Sequence, residues 1–403
     1  MRALTTLFLS LMLVAFCSVE AHEGHTDHQS QENLAIGVDF SSDRNGKTQL
    51  WRVRVRDSFL WVDHSEDLGK TFSKAVKVNQ EAMKIAAKGE ARPKIVLNRD
   101  GLIFLTWTES LKERFAGYVW FARSIDGGNT FEKPYIVHQD RAKTTHRFDA
   151  LNVSDNGMIT VTWVDKRDLI QAKQEGKPYQ GAAIYYALST NQGKTFEPEH
   201  KLADSTCECC RIALTNKPDG TVVALWRHVF DGGERDHMIA ELPSNQTVDL
   251  HRATFGRWKI DGCPHHGAAL ARGGERQAWW GYHMAYFDGK DKLPGLYYSR
   301  MDGVAWASSP AKAFGNIDHQ AGHPVLLSQS DQVWLAWREI ADNQYKILMR
   351  FSDDGGRNWQ DDQIIAVSDG ETDYPMLLAN QSHVYLVWNT KAAGLIVKSL
   401  KRE

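Results

Sequence analysis

The chain has 403 residues, and its 48 lysines and arginines against 50 aspartates and glutamates leave a net charge of −2. That balance gives no large basic surface for nucleic acid, and the length suffices for one large all-β domain. Fourteen tryptophans suit short strands and half-wet rims, where a large apolar ring carries one polar atom.

The first element in chain order is an export signal. Arg2 supplies a positive end, residues 7–16 form an apolar run too short to span a bilayer, and Val19-Glu20-Ala21 offers a cleavage site. Cleavage is expected after Ala21. A lipid anchor at Cys17 is the weaker alternative, because bulky Phe16 precedes it. No later apolar run is long enough for a membrane helix, so the expected location is the periplasm or the outside. Residues 1–21 are thus a signal peptide, 22–33 a His-rich tail, and 34–403 the folded domain. The new terminus would place His22, with its α-amino nitrogen, near His25 and His28, a chelating set for copper.

Beyond the tail, one pattern recurs: Ser-x-Asp-x-Gly-x-Thr-aromatic. It runs through Ser65, Asp67, Gly69, Thr71 and Phe72, and again through Ser124, Asp126, Gly128, Thr130 and Phe131. Ser189-to-Phe196 and Ser352-to-Trp359 repeat it with Asn substitutions, and Ser299-to-Trp306 is a degenerate copy. The acid or amide bonds backbone N–H groups, Gly takes a positive φ and the aromatic anchors the turn, which predicts a hairpin with no chemistry of its own.

A second repeat runs out of phase. Short apolar segments begin near Arg92, Phe148, Arg211, Gly267, His323 and Tyr374. Each leads, 13 to 15 residues on, to Trp107, Trp163, Trp226, Trp280, Trp337 and Trp388. Units of this size hold four-stranded blades, and counting them predicts an all-β, six-bladed β-propeller. Residues 34–79 show no matching start, so they are expected to complete the last blade. A seven-bladed ring is the competing count.

These turns and Trp-ended strands resemble the sialidase-like superfamily of Asp-box, or BNR-repeat, propellers. Cys207-Glu208-Cys209-Cys210 and Cys263-Pro264-His265-His266 resemble an exported bacterial subgroup of it. The resemblance to sialidases implies an arginine clamp, a Tyr–Glu pair and an acid/base Asp. Arg92, Arg147, Arg211, Tyr374 and Glu371 are the matching residues. The departures are that Arg92-Pro93 is only a fragment of the Arg-Ile-Pro motif, and that Glu371 is too close in sequence to Tyr374.

The residues just before the blade starts are unusual, and a propeller brings such positions to one mouth of its channel. They include His146, Cys207, Cys209, Cys210, Cys263, His265, His266, His319 and His323. After export, four cysteines allow three pairings, and a Cys210–Cys263 bridge or a vicinal Cys209–Cys210 bridge is compatible with the spacing. Thiolate with imidazole equally suits copper or zinc. Residues 234–238 and 282–284 also mix His with Met but read as packing. The leading expectation is therefore an exported propeller that binds a transition metal, copper before zinc, at a Cys/His-lined mouth, in metal handling or cofactor delivery. A sialidase-type exo-glycosidase and a non-catalytic scaffold for glycan or protein are the alternatives. The expected partners are a metal ion or a small-molecule or glycan ligand, with other periplasmic proteins and without nucleic acid.

Overall fold

The computed structural model describes residues 33–42, 48–242, 248–262, 264–274, 278–290, 293–380 and 383–400. The segment expected to be an export signal, Cys17, the expected tail with His22 and His25, and Cys263 lie outside the described residues. No described helix is long and apolar enough to cross a membrane.

The strands form seven antiparallel sheets. Blade 1 holds β1 (Gly37–Ser42), β2 (Thr48–Arg56), β3 (Phe59–Ser65) and β4 (Val76–Lys77). The first strands of blades 2 to 7 are β5 (Lys94–Leu97), β9 (His146–Val153), β13 (Ala213–Asn216), β17 (Ala269–Gly274), β21 (Gly322–Gln329) and β25 (Met376–Ala379). Consecutive first strands touch all the way round, and β25 touches β1, so these strands line the centre of a closed ring.

The count of six is therefore corrected to seven. Residues 37–77 make a blade of their own, and the last sheet has three strands among the described residues. Closure is by packing between blades. Ile36, Val38 and Leu50 bury against Tyr385 and Val387. Arg92 donates to both oxygens of Asp373 at 2.9 and 2.7 Å, and Ile36 N donates to the same carboxylate at 3.3 Å. The six predicted blade starts fall within two residues of the observed strands. Trp51, 14 residues after Gly37, carried the same spacing for the missed blade.

Burial follows from this stacking. In Thr48–Arg56, Val53 and Val55 are buried while Arg52, Arg54 and Arg56 alternate with them. In Ile159–Asp165 every residue is buried, because a blade within the ring is covered on both faces. The Trp-ended strand in blade 5 is misread: Trp279–Asp288 runs well past half-buried Trp280, and Tyr286 is the buried ring near its end.

The repeated turns brace neighbouring blades. Ser124 Oγ accepts from Gly128 N at 2.9 Å, and Asp126 accepts from Thr130 N at 3.0 Å. Ser65, Ser189 and Ser352 make the equivalent bond to Gly69, Gly193 and Gly356. At Gly128 a Cβ would lie 2.6 Å from the Trp51 ring of the preceding blade, at φ +82°. Only glycine allows both the turn and the contact.

Candidate functional site

Cys207 to Cys210 form the turn that carries the chain from Thr206, at the outer edge of blade 3, to Ala213, on the inner strand of blade 4. Cys207 N donates to Arg227 O at 2.9 Å, and Lys166 pairs with Glu208. The turn is tight enough to bring all three sulfurs within 4.8 Å of one another, all buried. Cys207 and Cys209 Sγ are 3.8 Å apart, and Cys210 Sγ donates to Cys207 Sγ at 3.7 Å. These separations exceed a disulfide bond of about 2.05 Å and match the roughly 3.8 Å between two thiolates on one tetrahedral ion at about 2.3 Å. Cys210 is a thiol, so the bridge considered between it and Cys209 is not formed. Its thiol is held well above the usual range, first by donating to Cys207, with Cys209 and Arg227 opposing and burial adding.

The residue after this turn reaches the channel mouth. Arg211 N donates to Glu90 Oε2 at 3.1 Å, and Gly267 N donates to both Glu90 oxygens at 3.0 Å. Glu90 itself sits on the turn Lys88 to Ala91, where Gly89 has φ +59° and its missing Cβ leaves room for the Tyr374 ring. His323 Nδ1 lies 3.3 Å from Glu90 Oε1. Burial would raise the Glu90 carboxyl, but the Arg211 guanidinium, His323 and the Gly267 N–H outweigh it and hold it at about 2. One carboxylate thus ties the Cys-containing turn, the His266-Gly267 turn and the start of blade 6 together.

A run of rings lines this mouth. Phe287 stacks on His266 at 4.4 Å, His266 lies 4.7 Å from His323, and His323 stacks on Tyr374 at 3.5 Å. Burial is the main cause that lowers His266 to about 3 and His323 to about 4, so both are neutral imidazoles near pH 7. His266 Nδ1 is buried without a hydrogen-bond partner. Arg338 lies over Tyr374 at 4.7 Å, and its Nε also lacks a partner.

The expected metal set therefore divides. Cys207, Cys209 and Cys210 converge; His266 and His323 meet at the mouth. His265 is exposed. His146 joins a different group, 2.9 Å from Asp140 and 3.6 Å from Asp165, and its Nδ1 meets Gly117 O at 3.0 Å. Arg167 already binds Asp165 at 2.7 Å, so that acidic group is an internal ion pair. His319 pairs with Glu339 at 3.1 Å on a surface turn.

The expected glycosidase set divides as well. Glu371 is 68% exposed and faces Lys391, away from any pairing with Tyr374. Arg92 is spent on Asp373. Arg211 donates to Ala268 O and Pro324 O at 3.0 and 2.7 Å. Arg147 has no ion pair among the described residues, its Nε is buried without a partner, and its charge is disfavoured by burial. Glu90 and Arg338 were missed. Glu90 stands just ahead of the Arg92 blade start, the position rule that found the histidines, whereas Arg338 is on a second strand, where no such rule applies.

No family model and no curated protein matches this sequence. Among solved structures, a polysaccharide lyase, an ulvan lyase bound to -[GlcA(1-4)Rha3S]-, aligns at 11% identity over 93% of this chain and 96% of that one, with TM-score 0.52. A Hadza microbial sialidase aligns at 14% identity over 88% and 76%, with TM-score 0.48. An α-L-arabinanase from Penicillium chrysogenum, complexed with arabinobiose, aligns at 12% over 82% and 99%, with TM-score 0.49. The likeness to the lyase is one of fold, an all-β propeller.

Proposed function

We propose that this chain is an exported propeller that binds one soft transition-metal ion, copper in preference to zinc, at Cys207, Cys209 and Cys210, in metal handling or delivery. The observation that carries the reading is the convergence of three buried sulfurs at the spacing of thiolates on a common ion. Thiolate donors select copper(I) and zinc over hard ions, and burial keeps competing water away. The neutral imidazoles of His266 and His323 add borderline donors at the adjoining mouth. Metal content and thiol titration on one native sample test it. About one ion per chain is expected, lost when all three cysteines become serine. Metal-free protein that takes up neither copper(I) nor zinc after reduction would sink the reading.

A second reading, a carbohydrate-active mouth of sialidase type, has its own support. Glu90 approaches Tyr374 from another blade, through the His323 ring, and Arg338 lies over the same phenol. The structurally similar lyase and sialidase are named for acting on carbohydrate. Release of a fluorescent leaving group from a sialoside, lost in Tyr374→Phe, would support it. No turnover on a panel of sialosides and other glycosides, with the fold intact, would remove it.

A further inference from the structure

Arg227 is a buried cation with no carboxylate at ion-pair distance among the described residues. It is 1% exposed. Its Nη1 donates to Arg235 O at 2.9 Å, and its Nη2 to His266 O and Phe287 O at 3.3 and 2.6 Å. Nε is buried without a partner, and no ion pair reaches the guanidinium among the described residues. Three carbonyls satisfy hydrogen bonds but do not neutralise a charge, and a buried charge left unneutralised is costly. Asp288 is a nearby acid, and burial pushes its carboxyl up to about 6, with Arg227 opposing.

The side chains that would supply an answering negative charge, as thiolates on a metal ion, belong to the turn docked on the same residue. Arg227 O accepts from Cys207 N at 2.9 Å and from Thr206 Oγ1 at 3.2 Å, so the cysteine turn is docked on Arg227. Three thiolates around a divalent ion leave one net negative charge; around a univalent ion they leave two. A fixed cation attracts the second complex twice as strongly as the first, because Coulomb energy is linear in charge.

We propose that Arg227 is a specificity-determining residue that biases the three-cysteine site toward a univalent soft ion, copper(I), over divalent zinc. The inference rests on the metal reading above and adds a selectivity to it. The geometry behind it is one buried guanidinium, held by carbonyls alone, carrying the sulfur-bearing turn on its own backbone.

The test is a pair of affinities, copper(I) and zinc(II), measured by competition with chromophoric chelators on the reduced full chain. Arg227→Gln keeps donors for the carbonyls and removes the charge, and Arg227→Lys keeps the charge. In the Gln variant copper(I) affinity should fall at least about tenfold more than zinc affinity, while the Lys variant stays within about threefold of the wild-type ratio. Asp288→Asn removes an opposing charge and should move the ratio the other way, which decides the matter even where Arg227→Gln fails to fold. Equal losses for both ions in Arg227→Gln, or an unchanged ratio in Asp288→Asn, would overturn the proposal. Wild-type protein that binds neither ion would instead remove the metal reading itself.

Discussion

Glu90 is the residue on which the mouth depends. Its carboxylate accepts from two backbone N–H groups on different inter-blade turns and meets His323 at the start of β21. The side chain is 5% exposed, so solvent does little to screen these contacts. Its folded value of about 2 lies below the 4.5 of an ordinary glutamate carboxyl. The stabilisation is therefore fully present above the unfolded value and is lost as pH falls from about 4.5 toward 2. A shift of this size corresponds to roughly 3 kcal/mol. Glu90→Gln should lower stability near neutral pH by a few kcal/mol and flatten the acid limb of a denaturation profile taken between pH 2 and 7. An unchanged acid limb would mean that the two turns and β21 are held without this charge.

The same rule of position, one step ahead of an inner strand, made Cys207 to Cys210, His266 and His323 legible from the sequence. It could not say which of them meet. Cysteines spaced by one turn have little choice but to converge. His146 and His266 lie far apart in the chain, and their partners depend on which blades their turns face.

At the scale of elements, the repeated turn is both hairpin and buttress. Its serine and acid bond the turn's own backbone, while its glycine presses on the blade before it. Two substitutions separate these roles. Ser124→Ala removes the acceptor for Gly128 N and should cost about 1 kcal/mol. Gly128→Ala adds a Cβ against Trp51 at a positive φ and should cost about 2–4 kcal/mol. Urea midpoints at constant m-value measure both. Equal losses would show that the contact with the neighbouring blade carries nothing.

For the whole molecule, ring closure rests on a small set of polar ties over the apolar seam of blades 7 and 1. Asp373 is 1% exposed and binds Arg92 at the start of blade 2 and Ile36 N at the start of blade 1. Asn389 Nδ2 adds a bond to Leu34 O at 2.9 Å. Asp373→Ala leaves Arg92 buried without its partner, and breaking such a pair costs about 3–5 kcal/mol. Hydrogen exchange should then rise first in β1 and β25, where the ring would open. Uniform exchange across all seven blades would argue for closure by apolar packing alone.

The sequence by itself determined the kind of fold, the places where six inner strands begin and the sulfur cluster. Each is written in residues close along the chain: the turn motif, the spacing from strand start to Trp, and Cys-x-Cys-Cys. The seventh blade had the same spacing from Gly37 to Trp51. What the sequence left open was whether strands at the two ends share a sheet or stack as neighbours, because both arrangements bury the same apolar residues. Tertiary structure decided that, by pairing β1 with β2 in register and leaving β25 to pack against β1 across a seam. It also decided that Glu90, and not Glu371, approaches Tyr374, and that Arg227 lies beneath the cysteines. Those contacts join residues from different blades, and only closing the ring sets which blades are neighbours.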